Sequence, residues 1–145
     1  MTDVSLRAAR IEDGAALTSL ERECFSDPWS QESVLTSLAS PLYYCRVAEQ
    51  AGRIEAYLIA SVVLGEGELL RIAVRPEGRC RGYGGLLIRT MLSDNPGVTL
   101  WRLDVRESNH TAQRLYEKYG FKAVIRRRDY YEKPTEDGIM MIREV

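Results

Sequence analysis

Residues 72–87 of this 145-residue chain read IAVRPEGRCRGYGGLL. The first three residues are apolar and typical of a strand, whereas residues 86–92 carry an apolar face at helical spacing. Between these segments lie Gly82 and Gly84, which permit positive φ and leave no side chain between the main chain and a ligand. The stretch therefore predicts a strand, a glycine-rich loop and a helix in direct succession.

The loop in this unit has the features of a phosphate site. The N-terminus of a helix offers unpaired N–H groups and the positive end of the helix dipole, and both attract phosphate. Arg79 and Arg81 add local positive charge. A Walker loop is excluded because Gly-Lys-Ser/Thr is missing, and the dinucleotide fingerprint is excluded because its third glycine would fall at Leu87. The alternative is a tight connection with two solvated arginines.

The composition restricts the classes of function. Apolar residues make up 45% and charged residues 28% of the chain, as in an ordinary globular protein with a packed core. Lys and Arg number 20 against 21 Asp and Glu, so no overall positive field attracts nucleic acid. The length fits one domain, residues 1–145. We expect no nucleic-acid partner and a single functional site.

Cysteine usage and the N-terminus bear on location. Three cysteines without close pairing and one histidine make a poor metal set, so we expect no metal. The first residues lack a basic-then-apolar signal region, and no apolar run approaches the roughly 20 residues that span a bilayer. The prediction is a cytoplasmic protein without a membrane partner.

The periodicity of the remaining chain predicts alternating helices and strands. Strands are predicted at residues 4–9, 43–48, 54–64, 68–74, 98–105, 123–125 and 138–142, the last two around a charged loop. Helices are predicted from residue 13 to 24, from an N-cap at Ser30 to before Pro41, from residue 86 to 92, and from residue 111 to 119, where Gly120 ends the helix. The expected fold class is α/β (α+β), a mixed, mostly antiparallel twisted sheet flanked by about four helices.

The loop resembles the acetyl-CoA loop of the GNAT superfamily of N-acetyltransferases. The family pattern is Arg or Gln, two residues, Gly, one residue, then Gly or Ala, and Arg79, Gly82 and Gly84 fill it. Residues 103–109 and 115–121 resemble the second half of that cofactor site. Residues 27–30 and 127–137 are similar to the bacterial ribosomal-protein alanine acetyltransferases. The resemblance covers almost the whole chain and implies a GNAT-like fold.

The resemblance also implies how acetyl-CoA would bind. It assigns main-chain hydrogen bonds with the pantetheine arm to the strand before the loop, and pyrophosphate binding to the loop itself. The implied cofactor residues are Ile72, Ala73, Val74, Arg79, Cys80, Arg81, Gly82, Tyr83, Gly84, Gly85 and Asn109. Asn109 is also suited to be a turn or helix-cap residue, and both roles can coexist.

Acetyl transfer needs a base for the amine and an acid for the departing thiolate. By resemblance, Asp104 stands where the family usually has a glutamate base, and Tyr116 stands at the proton-donor position. Asp is one methylene shorter than Glu, so the proton of the amine can reach Asp104 either directly or through a bridging water. The alternatives are a salt-bridged acid at a strand end for Asp104 and core packing for Tyr116.

Two further features stay outside this mechanism. His110 has no aligned partner, so we expect it to be structural or solvated. Arg126, Arg127 and Arg128 are expected to form a solvated face, with the alternative that they and Tyr130–Tyr131 border the peptide entrance.

The function implied by the resemblance is direct acetyl transfer from acetyl-CoA to a protein N-terminus. The expected partner is the N-terminal peptide of a protein, the N-terminal alanine of a small-subunit ribosomal protein. Two alternatives remain open: an acetyltransferase of a free small-molecule amine, and a regulator that binds acetyl-CoA without turnover.

Overall fold

The computed structural model describes residues 4–79 and 81–145. The strands are β1 Ser5–Ala8, β2 Tyr43–Gln50, β3 Arg53–Val63, β4 Glu66–Val74, β5 Leu100–Arg106, β6 Lys122–Tyr131 and β7 Glu136–Glu144. The α-helices are α1 Gly14–Cys24, α2 Gln31–Ala39, α3 Tyr83–Asp94 and α4 His110–Lys118. Short 3₁₀ turns lie at Ile11–Asp13 and Pro76–Gly78. This α/β arrangement confirms the predicted mixed sheet and helices.

The seven strands form one sheet in the order β1-β2-β3-β4-β5-β7-β6. Neighbouring strands run antiparallel except β4 and β5, which are parallel. These two strands pair only between residues 66–68 and residues 100–102. Within the described residues no later pair joins them, so the sheet opens between the carboxyl ends of β4 and β5. The main chain of residues 72–74, paired with β3 on one side, borders this opening on the other.

A β-bulge lies in β4 beside the opening. The pairing with β3 shifts between Ile59 and Ala60, which face Arg71 and Leu69, so Leu70 is the extra residue. A bulge bends its strand and re-aims the following side chains. Leu69 packs with the core on the α3 side, whereas Leu70 packs with the core on the α1 side. The bulge thereby turns Arg71 toward α1.

Two apolar cores lie on opposite faces of the sheet. One joins the sheet to α3 and α4, and its largest fully buried side chains include Trp101, Phe121, Leu87, Ile88, Met91 and Met141. The other joins the sheet to α1 and α2 through Leu17, Leu20, Val34, Tyr57 and Ile59. Along β5 the residues with odd numbers face the first core, so Arg102, Asp104 and Arg106 face the α1 side. Side chains near the opening therefore lie either on the α3–α4 face or on the α1–α2 face of the sheet.

The predicted charged loop before the last strand is wrong. Residues 126–131 belong to β6, which pairs with β7 as the outermost strand of the sheet. Charged and exposed side chains are common on an edge strand, because only one side of its main chain is paired. The pairing is irregular between Arg127 and Tyr131, which explains why no simple alternation was visible.

The end of α4 agrees with the prediction. Gly120 has φ +91° and donates its N–H to the Glu117 carbonyl at 3.0 Å, while Phe121 donates to the Tyr116 carbonyl at 3.1 Å. These two bonds are those of a helix end with a left-handed glycine. They fix Tyr116 in the last turn of α4 beside the Phe121 ring, with the ring centroids 6.0 Å apart.

Candidate active site

The glycine-rich loop leads into α3 as predicted. Gly82 is the N-cap residue of α3 with φ +82°, and Leu86 donates its N–H to the Gly82 carbonyl at 3.0 Å. A Cβ atom at Gly82 would meet nothing within 4 Å, so the space beside the turn is open. No side chain caps the helix N-terminus within the described part of the chain. Its free N–H groups and open space fit a pyrophosphate group.

Gly84 does not adopt the positive φ that a glycine permits. Gly84 lies within the first turn of α3, where its backbone is helical. Its missing side chain instead makes room for α4, because a Cβ atom there would lie 3.2 Å from Leu115 Cδ2. Gly85 has the same role, since its Cβ would lie 2.7 Å from the Tyr119 hydroxyl. Only Gly82 is required for the backbone conformation.

The other predicted loop residues have distinct positions. Arg81 is exposed beside the helix N-terminus, where it can contact an anion. Tyr83 is buried, and its hydroxyl donates to Gln50 Oε1 at 2.9 Å, which leaves only its main chain for a ligand. Arg79 is exposed, and its Nε donates to the Val74 carbonyl at 3.3 Å. The predicted contact through Cys80 lies outside the described residues.

The end of β4 offers hydrogen-bonding groups to the opening. The Val74 carbonyl accepts from Arg79 Nε and from Cys24 Sγ, the latter at 3.4 Å. This oxygen thus points away from β3 and can be reached by donors from the opening. Ile72 and Ala73 precede it on the strand that borders the gap. An extended ligand with amide groups, such as a pantetheine arm, fits this edge as an added strand would.

Asn109 acts as the N-cap of α4. Its Oδ1 accepts the Ala112 N–H at 3.1 Å, which satisfies one of the free donors at the start of the helix. The predicted cap role is confirmed, and contact with the cofactor stays a prediction. His110 follows as the exposed first residue of α4.

Asp104 lies on β5 with a mostly buried carboxylate. Its Oδ1 is 3.0 Å from Arg127 Nε, and its Oδ2 accepts from the Tyr130 hydroxyl at 3.4 Å. Arg127 also lies under the Tyr130 ring, 5.2 Å from its centroid. The Arg127 side chain is 40% exposed, so it is partly solvated as expected, and it also reaches from β6 to Asp104. Asp104 thus shows the salt bridge of the structural alternative, and its role as a base stays a prediction.

Tyr116 is a buried tyrosine on α4. Burial raises its pKa to about 12, so the hydroxyl keeps its proton at neutral pH. Within the described residues no hydrogen bond engages this hydroxyl, whereas buried tyrosines usually find a partner. The hydroxyl of Tyr116 thus keeps its proton and has no described protein partner, and its role as the proton donor stays a prediction.

Tyr131 is a further residue near the candidate base Asp104 and the candidate acid Tyr116. Burial, and after it the charge of Asp104 and the nearby Tyr130 and Tyr116 hydroxyls, raise the pKa of Tyr131. Tyr131 therefore lies within electrostatic range of both Asp104 and Tyr116.

Glu68 pairs in register with Arg102, two residues before Asp104 on the same face of β5. Sequence reasoning missed Glu68, although an acid in an apolar strand was the signal that singled out Asp104.

Glu68 differs from Asp104 in its partners. Within residues 4–79 and 81–145 no ion pair or hydrogen bond engages its carboxylate. Burial raises the pKa of the Tyr130 hydroxyl, and the charges of Asp104 and, least of all, Glu68 add to this rise. Asp104 is already held by Arg127 and Tyr130. The opening thus holds one bound and one unbound carboxylate.

A buried charge cluster on the α1 side was also missed. Glu21 is completely buried, and its carboxylate accepts from the Trp29 N–H at 2.7 Å, from the Tyr57 hydroxyl and from Arg71 at 2.6 and 3.0 Å. The Arg71 guanidinium also lies 3.8 Å from the centroid of the Phe25 ring. This cluster fastens the segment between α1 and α2 to the bulge of β4. An acid within the apolar stripe of α1 was the available signal.

The described residues show no group of three or more His, Cys, Asp and Glu side chains arranged to hold a metal ion. Over the same residues, no helix combines the length and the apolar character needed to cross a bilayer. Cys24 and Cys45 are both free thiols.

Comparisons with known proteins agree with this geometry. The model of the acetyltransferase (GNAT) family matches residues 14–121. The ribosomal protein bS18-alanine N-acetyltransferase of Escherichia coli (strain K12) is 38% identical over 129 residues, which cover 87% of this chain and 84% of that protein. The protein of the same name from Haemophilus ducreyi is 32% identical over 136 residues, covering 90% and 92%.

The solved structures agree as well. The crystal structure of the Escherichia coli ribosomal-protein-S18-alanine N-acetyltransferase superposes with a TM-score of 0.92 at 30% identity. The match covers 99% of this chain and 94% of that one. From the sheet, its opening and these matches, we conclude that the chain belongs to the acetyltransferase (GNAT) family.

Proposed function

We propose that this protein transfers the acetyl group of acetyl-CoA directly to the N-terminal α-amine of a protein, the N-terminal alanine of ribosomal protein bS18. The observation that carries the proposal is the similarity to bS18-alanine N-acetyltransferases along nearly the whole chain, including both sides of the opening. A cytoplasmic location follows from a ribosomal substrate, and the free thiols of Cys24 and Cys45 fit a reducing compartment.

The proposed cofactor residues are those that line the β4–α3 side. The main chain of residues 72–74 would receive the pantetheine arm, and the start of α3 at Gly82–Gly85 with Arg79 and Arg81 would hold the pyrophosphate. Acetyl-CoA supplies an activated acyl group in the form of a thioester. Arg79 would have to leave the Val74 carbonyl to reach an anion.

The acceptor amine must lose a proton to attack. An α-amine with a pKa of about 7.7 to 8.0 is roughly 10 to 20% neutral at pH 7, so a weak base is sufficient. Asp104 is our proposed base, acting directly or through a water molecule, and Glu68 is the competing carboxylate on the same face. Tyr116 would give its proton to the sulfur as the carbon–sulfur bond breaks.

The function is tested by an acetylation assay with mass spectrometry. The substrates are short peptides that differ only in the first residue, the same peptides with a blocked N-terminus and one lysine, and free polyamines. We expect the added group on the α-amine of the Ala-first peptide, because a lysine ε-amine with a pKa of about 10.4 is far less often neutral.

Each other result changes the assignment. Acetylation of polyamines alone would identify a small-molecule acetyltransferase. Binding of acetyl-CoA without acetylation of any acceptor would identify a non-catalytic regulator, and predominant ε-acetylation would contradict the choice of acceptor.

A further inference from the structure

Arg106 is a charged side chain on β5 that acetyl transfer itself does not use. Its guanidinium donates to the carbonyls of Glu132 at 2.7 Å and Pro134 at 2.9 Å. It also forms an ion pair with Glu136 at 3.2 Å and lies 4.7 Å from the centroid of the Tyr131 ring. One side chain thus holds the whole turn between β6 and β7.

The same guanidinium reaches the segment between α1 and α2. Its Nη2 is 3.5 Å from Ser26 Oγ, and next to this contact Lys133 Nζ lies 3.9 Å from Asp27 Oδ1. Both contacts are long and exposed, but Arg106 is the side chain that contacts the β6–β7 turn and the α1–α2 segment at once. The β6–β7 turn and the α1–α2 segment therefore meet over the face of β5 that carries Asp104.

The main chain at Arg106 is also held in place, by a side chain of α4. Gln113 on α4 donates to the carbonyls of Arg106 at 3.1 Å and Glu107 at 2.9 Å. Glu136 accepts the Ser108 N–H at 2.7 Å as well as pairing with Arg106, and these contacts hold the pKa of Glu136 below its usual value. The guanidinium is therefore held in register with α4, which carries Tyr116.

We propose that Arg106 is the positioning residue that sets the width of the acceptor cleft, by which we mean the space between the β6–β7 turn (residues 132–135) and the α1–α2 segment (residues 25–30). It holds the β6–β7 turn and the α1–α2 segment at a fixed distance and thereby selects an extended peptide with a small first side chain. This inference rests on the proposed acetylation of a protein N-terminus. A planar guanidinium with five donors can bridge two carbonyls, a carboxylate and a hydroxyl at once, whereas a lysine ammonium at the same place reaches fewer of them.

The test compares Arg106→Lys with Arg102→Lys. Arg102 lies on the same strand and face, but its ion pair with Glu66 is exposed and lies away from both segments. For Arg106→Lys we expect KM for an Ala-first peptide to rise about tenfold, and the preference in kcat/KM for Ala-first over Leu-first peptides to fall by about tenfold, a range that pocket contacts can supply. Affinity for acetyl-CoA should stay within about twofold in both variants, because neither arginine contacts the β4–α3 loop.

A second measurement needs no activity. In amide hydrogen exchange, Arg106→Lys should exchange faster than the parent in residues 26–29 and 132–136, and Arg102→Lys should not. Arg106→Met, if folded, should show the same pattern with larger changes, and Ser26→Ala should speed exchange in the α1–α2 segment alone.

The outcomes separate the two proposals. Unchanged peptide selectivity in folded Arg106→Lys, or unchanged exchange in both segments, would overturn the positioning role. A parent protein that acetylates no peptide would overturn the proposed function, and the exchange measurement would still decide whether Arg106 holds the two segments.

Discussion

The two sides of the opening are built in different ways. The β4–α3 side consists of main-chain groups: the edge of residues 72–74, the left-handed Gly82 and the first N–H groups of α3. The acceptor side consists of side chains from five elements, tied by the Glu21–Arg71 and Arg106–Glu136 ion pairs. The first side needs a backbone conformation, whereas the second needs partners distant in sequence.

This difference determines how each side responds to substitution. A main-chain site tolerates most side-chain changes and fails when bulk or charge enters the turn. A side-chain network fails when one member is removed, because the remaining buried charge or donor is left without its partner. Substitutions on the two sides should therefore give different losses.

The largest effect should come from the proposed proton donor, Tyr116. Tyr116→Phe removes one hydroxyl and keeps the ring that packs on Phe121, so kcat should fall by roughly 10² to 10⁴ while acetyl-CoA affinity is retained. Because burial raises the pKa of Tyr116 from 10.0 to about 12, the parent should show no loss of turnover from this group up to pH 10. Steady-state rates measured from about pH 6 up to about pH 10, the unperturbed pKa of a tyrosine, test both statements.

The same pKa shift has a consequence for stability. A raised folded pKa means that the contribution of Tyr116 is complete below pH 10 and is lost as the pH rises through about 12. The stability of the parent should thus fall more steeply than that of Tyr116→Phe in this window. Parental kcat in the Phe variant at every pH would remove Tyr116 from the mechanism and leave water as the acid.

On the acceptor side, Glu21→Gln should destabilise the protein by about 3 to 5 kcal/mol, because it leaves the Arg71 charge buried without its partner. The matched control is Glu66→Gln, which removes an exposed ion pair with Arg102 at 2.9 Å and should cost roughly 0 to 1 kcal/mol. Urea unfolding of both variants provides the comparison. Equal losses would show that the buried cluster is no more important to the fold than a surface pair.

The pH dependence of kcat can show which of the two carboxylates on the acceptor side, Asp104 or Glu68, is the base. Asp104→Asn should lose about 10² in kcat at pH 6, where the α-amine is mostly protonated, and recover partly as the pH passes its pKa of about 7.7 to 8.0. Glu68→Gln serves as the counterpart, because Glu68 lies on the same face without a partner. If the pH dependence changes only in Glu68→Gln, the base is Glu68 and Asp104 is a structural acid that holds Arg127.

The last substitution, at Gly84 in the first turn of α3, tests the main-chain side of the opening. Gly84→Asp should abolish stabilisation by acetyl-CoA, expected at about 2.7 kcal/mol in the parent when the ligand is at about 100 times its Kd. An acidic residue in the first turn of α3 favours the helix but repels a pyrophosphate. Gly84→Asn brings the same bulk against Leu115 without the charge, so it controls for the packing change, and it should keep most of the shift in thermal melts. The same shift in parent and Asp variant would refute the loop assignment.

The amino-acid sequence by itself determined the features that arise within short segments. The turn at Gly82, the Ser30 and Asn109 caps and the end of α4 at Gly120 each depend on residues a few positions apart. Their conformations follow from local sterics and local hydrogen bonds, so the spacing of residues was sufficient. The family resemblance rested on the same local patterns.

Only the tertiary structure decided which residues meet across the sheet. Glu21 and Arg71 are 50 residues apart in sequence, and Arg106 contacts Ser26 from 80 residues away. The bulge at Leu70 turns Arg71 toward α1, and the irregular pairing of β6 brings Arg127 to Asp104. Such contacts depend on register and on the opening between β4 and β5, which no local pattern encodes. The sequence could therefore name Asp104 but not the contacts of the acceptor side, because these form only when the whole sheet is formed.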